Sequence, residues 1–507
     1  MNNLRSLTLF DIYEQHANHS GQLTAIHANG HDTSYADLFE HTCRLINGLG
    51  ALNLKPGSRI GVLSANHPAF FHLFGAASAL GLSLVLINRR LSYEEISGIV
   101  EDTTPQILIS DSGLADTAEK LAGRFEFLNQ CFVIDPENTT SQNYDDFSTL
   151  YKNDASNPVP TGSGDDPFII IHTAAVQGKP RGAILSQENA ILASMQAAWT
   201  FGMDSSWAHL NILPLFHIMG VNLGLGTLLA KGKNVILEKF DPNLTLDLIQ
   251  SQDISIIGSF PPILNTLMEA AQDGRFDLSS LKVAAGIETP EVVEKWESMT
   301  SSKFWTMYGQ TETSGLITFS EYFAKPGSAG KLSMLANIEI VDDFDNALPS
   351  GSTGEIVVRG PLVFQGYWNA DDLNAHTFRE GWHHTGDLGM IDTDGFLFFK
   401  GRKAEKELIK PGGENVFPAE VEKVILAHSA IKDVCVFGVP DPKFGEGIKA
   451  VCSLNEGQAL TAEALVAFTA SKIAGYKKPR YVEFISELPK ADDGSIDRQA
   501  VKQQYSN

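Results

Sequence analysis

Residues 385–418 read TGDLGMIDTDGFLFFKGRKAEKELIKPGGENVFP and place a carboxylate, an arginine, a group of lysines and a Gly-Gly turn within 34 residues. Asp387 stands beside two glycines, the pattern of a turn. Residues 392–395 read as a hairpin turn between short apolar segments, because Asp and Gly tolerate backbone angles that other residues avoid. Residues 396–400 then run as a strand into Gly401. The cations that follow, Arg402, Lys403, Lys406 and Lys410, are spaced too irregularly for one helix face, and Pro411-Gly412-Gly413 stops any regular element. One domain is expected to end here and another to begin, which divides the chain into 1–401 and 402–507.

Length and composition bound what surrounds this junction. At 507 residues the chain exceeds one ordinary core, so a large region of two or more sub-lobes and a smaller one are expected. The formal charge of -23 argues against nucleic acid or an anionic membrane as a general partner, and requires anionic ligands to be met by local donors and a metal. Cys43, Cys131, Cys435 and Cys452 are widely spaced with no CxxC pair. Neither a disulfide framework nor a zinc site is suggested, and a reducing, cytoplasmic compartment is expected. Residues 1–9 are polar and lack the apolar core of a signal peptide. Residues 69–87 hold no Asp, Glu, Lys or Arg over 19 positions, which reaches the ~18-residue length at which a membrane span is weighed. Gly81 divides that run, so it reads as a buried helix followed by a β-rich strand.

Strand and helix patterns alternate through the first half, the mark of an α/β fold with a parallel sheet covered on both faces. Ser34 with Asp37, and Ser92 with Glu95, have the spacing of capping boxes. Residues 135–167, rich in Asp, Asn, Ser, Pro and Gly without apolar period, read as a surface connection between sub-lobes. An apolar strand at 168–172 runs into TAAVQGKPRG at 173–182, with a helix expected from Ser186. A loop between strand and helix can cradle phosphates through backbone N–H groups, and a plain turn fits the spacing equally. NILPLFHIMG at 211–220 carries one histidine, His217, at an apolar strand end, where such a residue is most often structural. MYGQTET at 307–313 follows a strand from Lys303, and GEIVVRG at 354–360 reads as a strand of a smaller β lobe. The last hundred residues show helical patterns at 418–428 and 462–473 and a strand at 434–439, an α+β lid.

In their order, TGDLG, the DxxG turn, GR and GGENVFPAEVE resemble the adenylate-forming superfamily of acyl-CoA synthetases, peptide-synthetase adenylation domains and firefly luciferase. The resemblance implies a large N-terminal domain of two sheet-and-helix sub-lobes plus a β lobe, and a small mobile α+β C-terminal domain. It implies that Asp387 and Arg402 hold the ribose hydroxyls of ATP, the carboxylate accepting and the guanidinium fork donating. It sets Thr173, Gly178, Lys179 and Arg181 over the β- and γ-phosphates, Gly286 and Tyr308 against adenine, and His217 at the border of the acyl pocket. Thr311 is expected to donate to the α-phosphate and carboxylate, and Glu312 to hold Mg²⁺, which prefers carboxylate and phosphate oxygens. Thr311, Glu312 and His217 are the catalytic candidates, and Gly412, Gly413 and Glu414 join the cofactor-binding set.

The order and spacing of these motifs fit an acyl-CoA synthetase best, and no carrier domain accompanies them. The implied reaction joins a carboxylate to ATP, giving acyl-AMP and pyrophosphate, and CoA then displaces AMP. The acid is expected to be apolar, a fatty acid above all, because residues 212–229 offer no charged side chain to meet a second polar group. Two departures fall on the pyrophosphate side. Ala174, Ala175, Val176 and Gln177 stand where the resembling family has Ser or Thr, Gly, Thr and Thr, and Ser495 stands where it has the lysine that stabilises adenylation. Losing one such donor lowers a rate by ~10²–10³, so the alternative is a weakened member that binds acyl-adenylate or CoA without efficient turnover. The hinge is expected within residues 402–407, two residues longer than the family's run. Lys403, Lys406 and Lys490 are the cations expected to replace the missing one.

Overall fold

The computed structural model describes residues 7–139, 143–176, 179–272, 274–342, 344–402, 408–490 and 496–506, with backbone only at 138, 174–176 and 179. Helices begin where side-chain chemistry puts them. Ser34, Ser92 and Ser186 each accept from the N–H three residues on, and Asp37, Glu95 and Asn189 return the bond to the cap's own N–H. The donors orphaned at a helix start are thereby satisfied in pairs. The uncharged run forms the helix Ala69–Leu80 and the strand Ser83–Leu86. Eleven of that helix's twelve residues are buried, which is why it carries no charge, and Gly81 ends it in the left-handed conformation at φ 63°. Among the described residues no helix is long and apolar enough to cross a membrane.

The alternating patterns build two large sheets. An eight-stranded sheet runs in the order Gly366–Tyr367, Lys179–Ser186, Pro167–Val176, Ser83–Leu86, Arg59–Leu63, Ile107–Asp111, Gln130–Ile134 and Asp145–Asp146. It is parallel from Pro167–Val176 onward. A nine-stranded sheet pairs Lys233–Ile236, Ala208–Asn211, Ile256–Ser259, Val283–Gly286 and Lys303–Gln310 in parallel, with Gly315–Glu321 antiparallel beyond them. One apolar core joins the two sheets, from Leu84 and Ile109 through Phe71 and Phe74 to Val221, Leu225 and Ile236. A smaller antiparallel sheet holds Asn337–Val341, Gly354–Arg359, Trp382–Ile391 and Leu397–Arg402. The C-terminal sheet is the hairpin Ile431–Asp441 and Gly445–Leu454 with Tyr481–Ile485 added in parallel.

Four local expectations change. Within 135–167, read as a surface connection, one described segment packs on the core: the 3₁₀ helix Phe147–Lys152 buries Phe147 and Leu150, and Tyr151 pairs its hydroxyl with His72 Nδ1 at 2.7 Å. Two apolar residues in a six-residue turn leave no periodic trace. The stretch 173–182 is largely a β-hairpin, with Thr173 opposite Arg181 and Val176 opposite Lys179, where a strand-to-helix loop was expected. Asp387 lies within the strand Trp382–Ile391 and not in a turn. Gly386 at φ 69° puts an irregularity into that strand, which explains the turn-like sequence. The C-terminal region has three strands where one was read, because the second, Gly445–Leu454, is buried too thoroughly to alternate.

The C-terminal elements dock on the N-terminal region through buried charge. Lys477 Nζ lies 2.7 Å from Glu95 Oε1 and 2.8 Å from Glu420 Oε2, and Ala474 N–H donates to Glu95 at 3.0 Å. Outside this buried group, the exposed Arg90 meets Glu414 at 2.5 Å. Burial and its neighbour Glu95 push the Glu420 carboxyl up, although Lys477 opposes them. Lys477→Met leaves two carboxylates facing each other without a cation, at a cost of about 3 kcal/mol. A lower Tm, partly recovered by adding Glu95→Gln, is the expected result, and an unchanged Tm would remove this contact from the account of the docking.

Candidate active site

Backbone pairing sets Asp387 directly opposite Arg402. The Asp387 carboxylate is 1% exposed: Oδ1 accepts from Arg402 Nε at 2.7 Å, and Oδ2 accepts from Tyr308 Oη at 2.8 Å and Gln310 Nε2 at 2.7 Å. Behind it, Gly386 N–H donates to Glu355 Oε1 at 2.9 Å, so the irregular strand is held from the core side. Burial, then the Asp387 carboxylate, raises the Tyr308 hydroxyl well above the usual phenol range. Tyr308 therefore stays a donor.

The strand carrying Tyr308 and Gln310 ends in the 3₁₀ turn Thr311–Thr313. Thr313 Oγ1 accepts from Gln310 N–H at 2.9 Å, which sharpens the turn and presents Thr311 and Glu312. Glu312 Oε1 accepts from Tyr367 Oη at 2.7 Å, and Oε2 has no protein partner among the described residues. One carboxylate oxygen fixed by a phenol and the other open fits an oxygen-seeking divalent cation. Arg181 reaches this corner from the hairpin, its guanidinium lowered by burial and supported by Tyr367. Gly178 and the Lys179 side chain lie outside the described residues.

His217 caps the helix Ile218–Leu229, its Nδ1 accepting from Met219 N–H at 3.4 Å, with the ring edge-on to Phe260. Burial lowers its imidazole, so the ring is neutral near pH 7. Gly412 and Gly413 take φ 59° and 84°, and a Cβ on Gly413 would come within 2.8 Å of Phe260 Cγ. Glycine is thus required there twice, for conformation and for approach. Glu414 faces Asn88 and Arg90, and so binds the two regions of the chain together. Gly286 lets Ser259 O approach to 1.8 Å of where a Cβ would stand, a sheet-packing role beside Ile287.

Three cavities meet among these residues. A polar one of about 90 Å³ is bounded by Thr173, Gln310, Glu312, Tyr367, Asp387 and Arg402. An apolar one of about 120 Å³ is bounded by Ile218, Met219, Phe260, Ile287, Met307 and Leu316. A third, about 60 Å³, runs past Asn88, His217, Glu414, Tyr476 and Lys477. Thr311 and Asn415 line all three. Lys410, half-buried at the join of the polar and apolar cavities, has its ammonium pushed down to about 8 by burial and by Arg402.

Sequence reasoning named Lys410 only as one cation among four, and passed over Gln310, Tyr367 and Asn415. Gln310 was visible inside the YGQTE motif. Tyr367 had no signal, because its partner is 55 residues away. The structure leaves Lys490 exposed, beside Ile496 and outside the three cavities. Lys403, Lys406, Ser495 and the hinge residues 403–407 lie outside the described residues.

The profile of the family described as AMP-binding enzyme matches residues 13–368, and that of the AMP-binding enzyme C-terminal domain matches 420–494. The chain belongs to the AMP-binding enzyme family. Feruloyl-CoA synthase of Amycolatopsis sp is 30% identical to it over 96% of each chain, and indoleacetate–CoA ligase of Aromatoleum aromaticum is 30% identical over 98% of each. The structure of o-succinylbenzoate CoA synthetase from Bacillus subtilis, 26% identical, superposes with a TM-score of 0.84 over 97% of each chain. Within the adenylate-forming superfamily this AMP-binding enzyme falls in the CoA-ligase branch, an AMP-forming carboxylic acid–CoA ligase that uses ATP and CoA.

Proposed function

We propose that this enzyme activates an apolar carboxylic acid as acyl-AMP beside Thr311 and passes the acyl group to the CoA thiol at the same point. The observation that carries the reading is the convergence of three cavities on Thr311 and Asn415, since a two-step ligase must bring nucleotide, acid and thiol to one carbon. The polar cavity suits the nucleotide, the apolar one the acid and the narrow third one a thin thiol-bearing chain. Asp387 already accepts from three protein donors. A carboxylate has about four lone-pair sites, so Asp387 meets one ribose hydroxyl and Arg402 helps with the other. Thr311 donates to the reacting oxygens, and neutral His217 borders the acid. Glu312, backed by Tyr367, would hold Mg²⁺, which when bound neutralises phosphate charge.

Lys410 is the cation placed to face the phosphate, and its lowered ammonium makes this testable by pH. The charge is present below about 8 and lost above it, so kcat/KM for ATP is expected to fall as pH rises through that range. Lys410→Arg keeps its charge to beyond pH ~12 and is expected to abolish that limb, whatever its absolute rate. A limb unchanged in the variant would assign it to another group.

The acid is read as apolar from the lining of its cavity. A fatty acid was the expectation from sequence, but about 120 Å³ favours a compact acid over a long chain. Feruloyl and indoleacetyl groups, named for the two relatives, are of that compact kind. The domain boundary is placed near residue 402, so that Lys410, Gly413 and Asn415 are contributed by the C-terminal domain. ATP–pyrophosphate exchange across a panel of carboxylic acids tests the whole reading. Acid-dependent exchange well above a no-acid blank supports it, and blank-level exchange with every acid would favour the weakened, binding-only member.

A further inference from the structure

Lys410 opens a loop whose base is fixed in the C-terminal core. Ile409 and Val416 exchange both backbone hydrogen bonds, at 2.8 and 2.9 Å, and both side chains are buried in that core. Residues 410–415 stand out from this closed base and carry Lys410, Gly413, Glu414 and Asn415 to the cavity walls. A lysine ammonium rides on a flexible four-carbon stem, so where its charge comes to rest depends on how firmly its own backbone is held.

The tip of the hairpin Ile431–Asp441 and Gly445–Leu454 holds the loop at two points. Lys410 N–H donates to Glu446 Oε2 at 2.6 Å, and Gly412 N–H donates to Phe444 O at 3.0 Å. The tip is built from its own residues. Asp441 Oδ1 accepts from the N–H groups of Lys443 and Phe444, each at 2.9 Å, and the Arg480 guanidinium lies 4.2 Å from the centre of the Phe444 ring. Glu446 is half-buried, and it folds back against the facing strand because Gly438 there has no side chain: a Cβ on Gly438 would collide with Glu446 Oε1.

We infer that Glu446 is the positioning residue for Lys410, fixing the backbone from which the lysine reaches the phosphate and adding a negative charge to the surroundings of its ammonium. This rests on the reading of Lys410 as the cation that faces the phosphate. The electrostatics agree with the geometry. Burial, then Arg402, pushes the ammonium down to about 8, and Asp387 and Glu446 oppose them. The other titratable groups lining the two cavities that Lys410 joins are Glu312 and Tyr367 on the polar side and Tyr308 and His217 on the apolar side.

The test is the pH profile of kcat/KM for ATP in pyrophosphate exchange, with thermal unfolding of each variant alongside. Glu446→Ala removes a charged acceptor and is expected to lower the plateau below pH 8 by about tenfold or more. Glu446→Gln can still accept from Lys410 N–H, so its plateau is expected to lie above that of Glu446→Ala. Its alkaline limb is expected to move to lower pH, because the charge that supports the ammonium is gone. Gly438→Ala keeps the carboxylate but displaces it, and is expected to lower the plateau as well. A role in stability alone would lower Tm and leave the limb where it was. A limb that Lys410→Arg abolishes but Glu446→Gln does not move overturns the inference and leaves the reading of Lys410 intact. Wild-type plateaus in both Glu446→Ala and Gly438→Ala overturn it too. A limb that survives in Lys410→Arg removes that reading, and this inference with it.

Discussion

Glu312→Gln is expected to lower acyl-AMP formation by about 10³-fold while leaving stability within about 1 kcal/mol of the wild type. The glutamine has the same shape, and its carbonyl can still accept from Tyr367 Oη, the contact that holds Oε1 at 2.7 Å. What disappears is one negative charge on a residue that borders the cavity of Thr173, Gln310 and Arg402 and whose Oε2 has no protein partner among the described residues. At 9% exposure the carboxylate is a buried one, which makes the lost charge worth more because little water screens it. The measurement is exchange at limiting and saturating Mg²⁺, with thermal unfolding alongside. Wild-type activity at limiting Mg²⁺ would end the assignment of the ion to Glu312. A collapse of Tm would show that the carboxylate serves the fold first.

Asp387→Ala is expected to be the most damaging single change at the nucleotide side, on two separate scales. Loss of one charged acceptor for a ribose hydroxyl is worth about 1.5–3 kcal/mol, so the apparent constant for ATP should rise by about 10- to 150-fold while that for the acid moves little. The second scale is stability. Arg402 Nε, Tyr308 Oη and Gln310 Nε2 all converge on this one carboxylate. Removing it strands a partly buried guanidinium and two further donors, at a cost of about 3–5 kcal/mol. A double-mutant cycle with Arg402→Ala separates the scales, because part of the stability loss should be absent once the cation is gone. Deoxyribose analogues of ATP supply the other arm: they should weaken binding to the wild type and change little for the variant. Undiminished ATP affinity in Asp387→Ala would end the ribose assignment.

Much of the molecule was legible from residues alone wherever the physics is local. The Ser34 and Ser92 capping boxes, the C-capping Gly81 and the Asp392–Gly395 turn need only their own neighbours, and all appear where the spacing set them. Site residues within a motif were legible for the same reason, as Tyr308, Thr311 and Glu312 lie on one strand end and its turn. Partners far apart in sequence were not. Nothing near Tyr367 announces that it holds Glu312, and although the spacing to Ser92 gives the capping role of Glu95, nothing near it announces that it receives Lys477 from 382 residues away. The turn read at Asp387 failed because a glycine at positive φ marks both a turn and an irregular strand, and only pairing with Arg402 distinguishes them.

By itself, the sequence determined the fold class, the alternation of strand and helix, and the family, because these follow from periodicity, caps and short motifs. The tertiary structure alone decided that Lys410 stands at the join of the polar and apolar cavities. It also decided that Asp387 has about one free lone pair and not four, and that Glu312 is buried. Each of those depends on desolvation and on donors brought from distant strands, and neither quantity is written in a residue's neighbours along the chain.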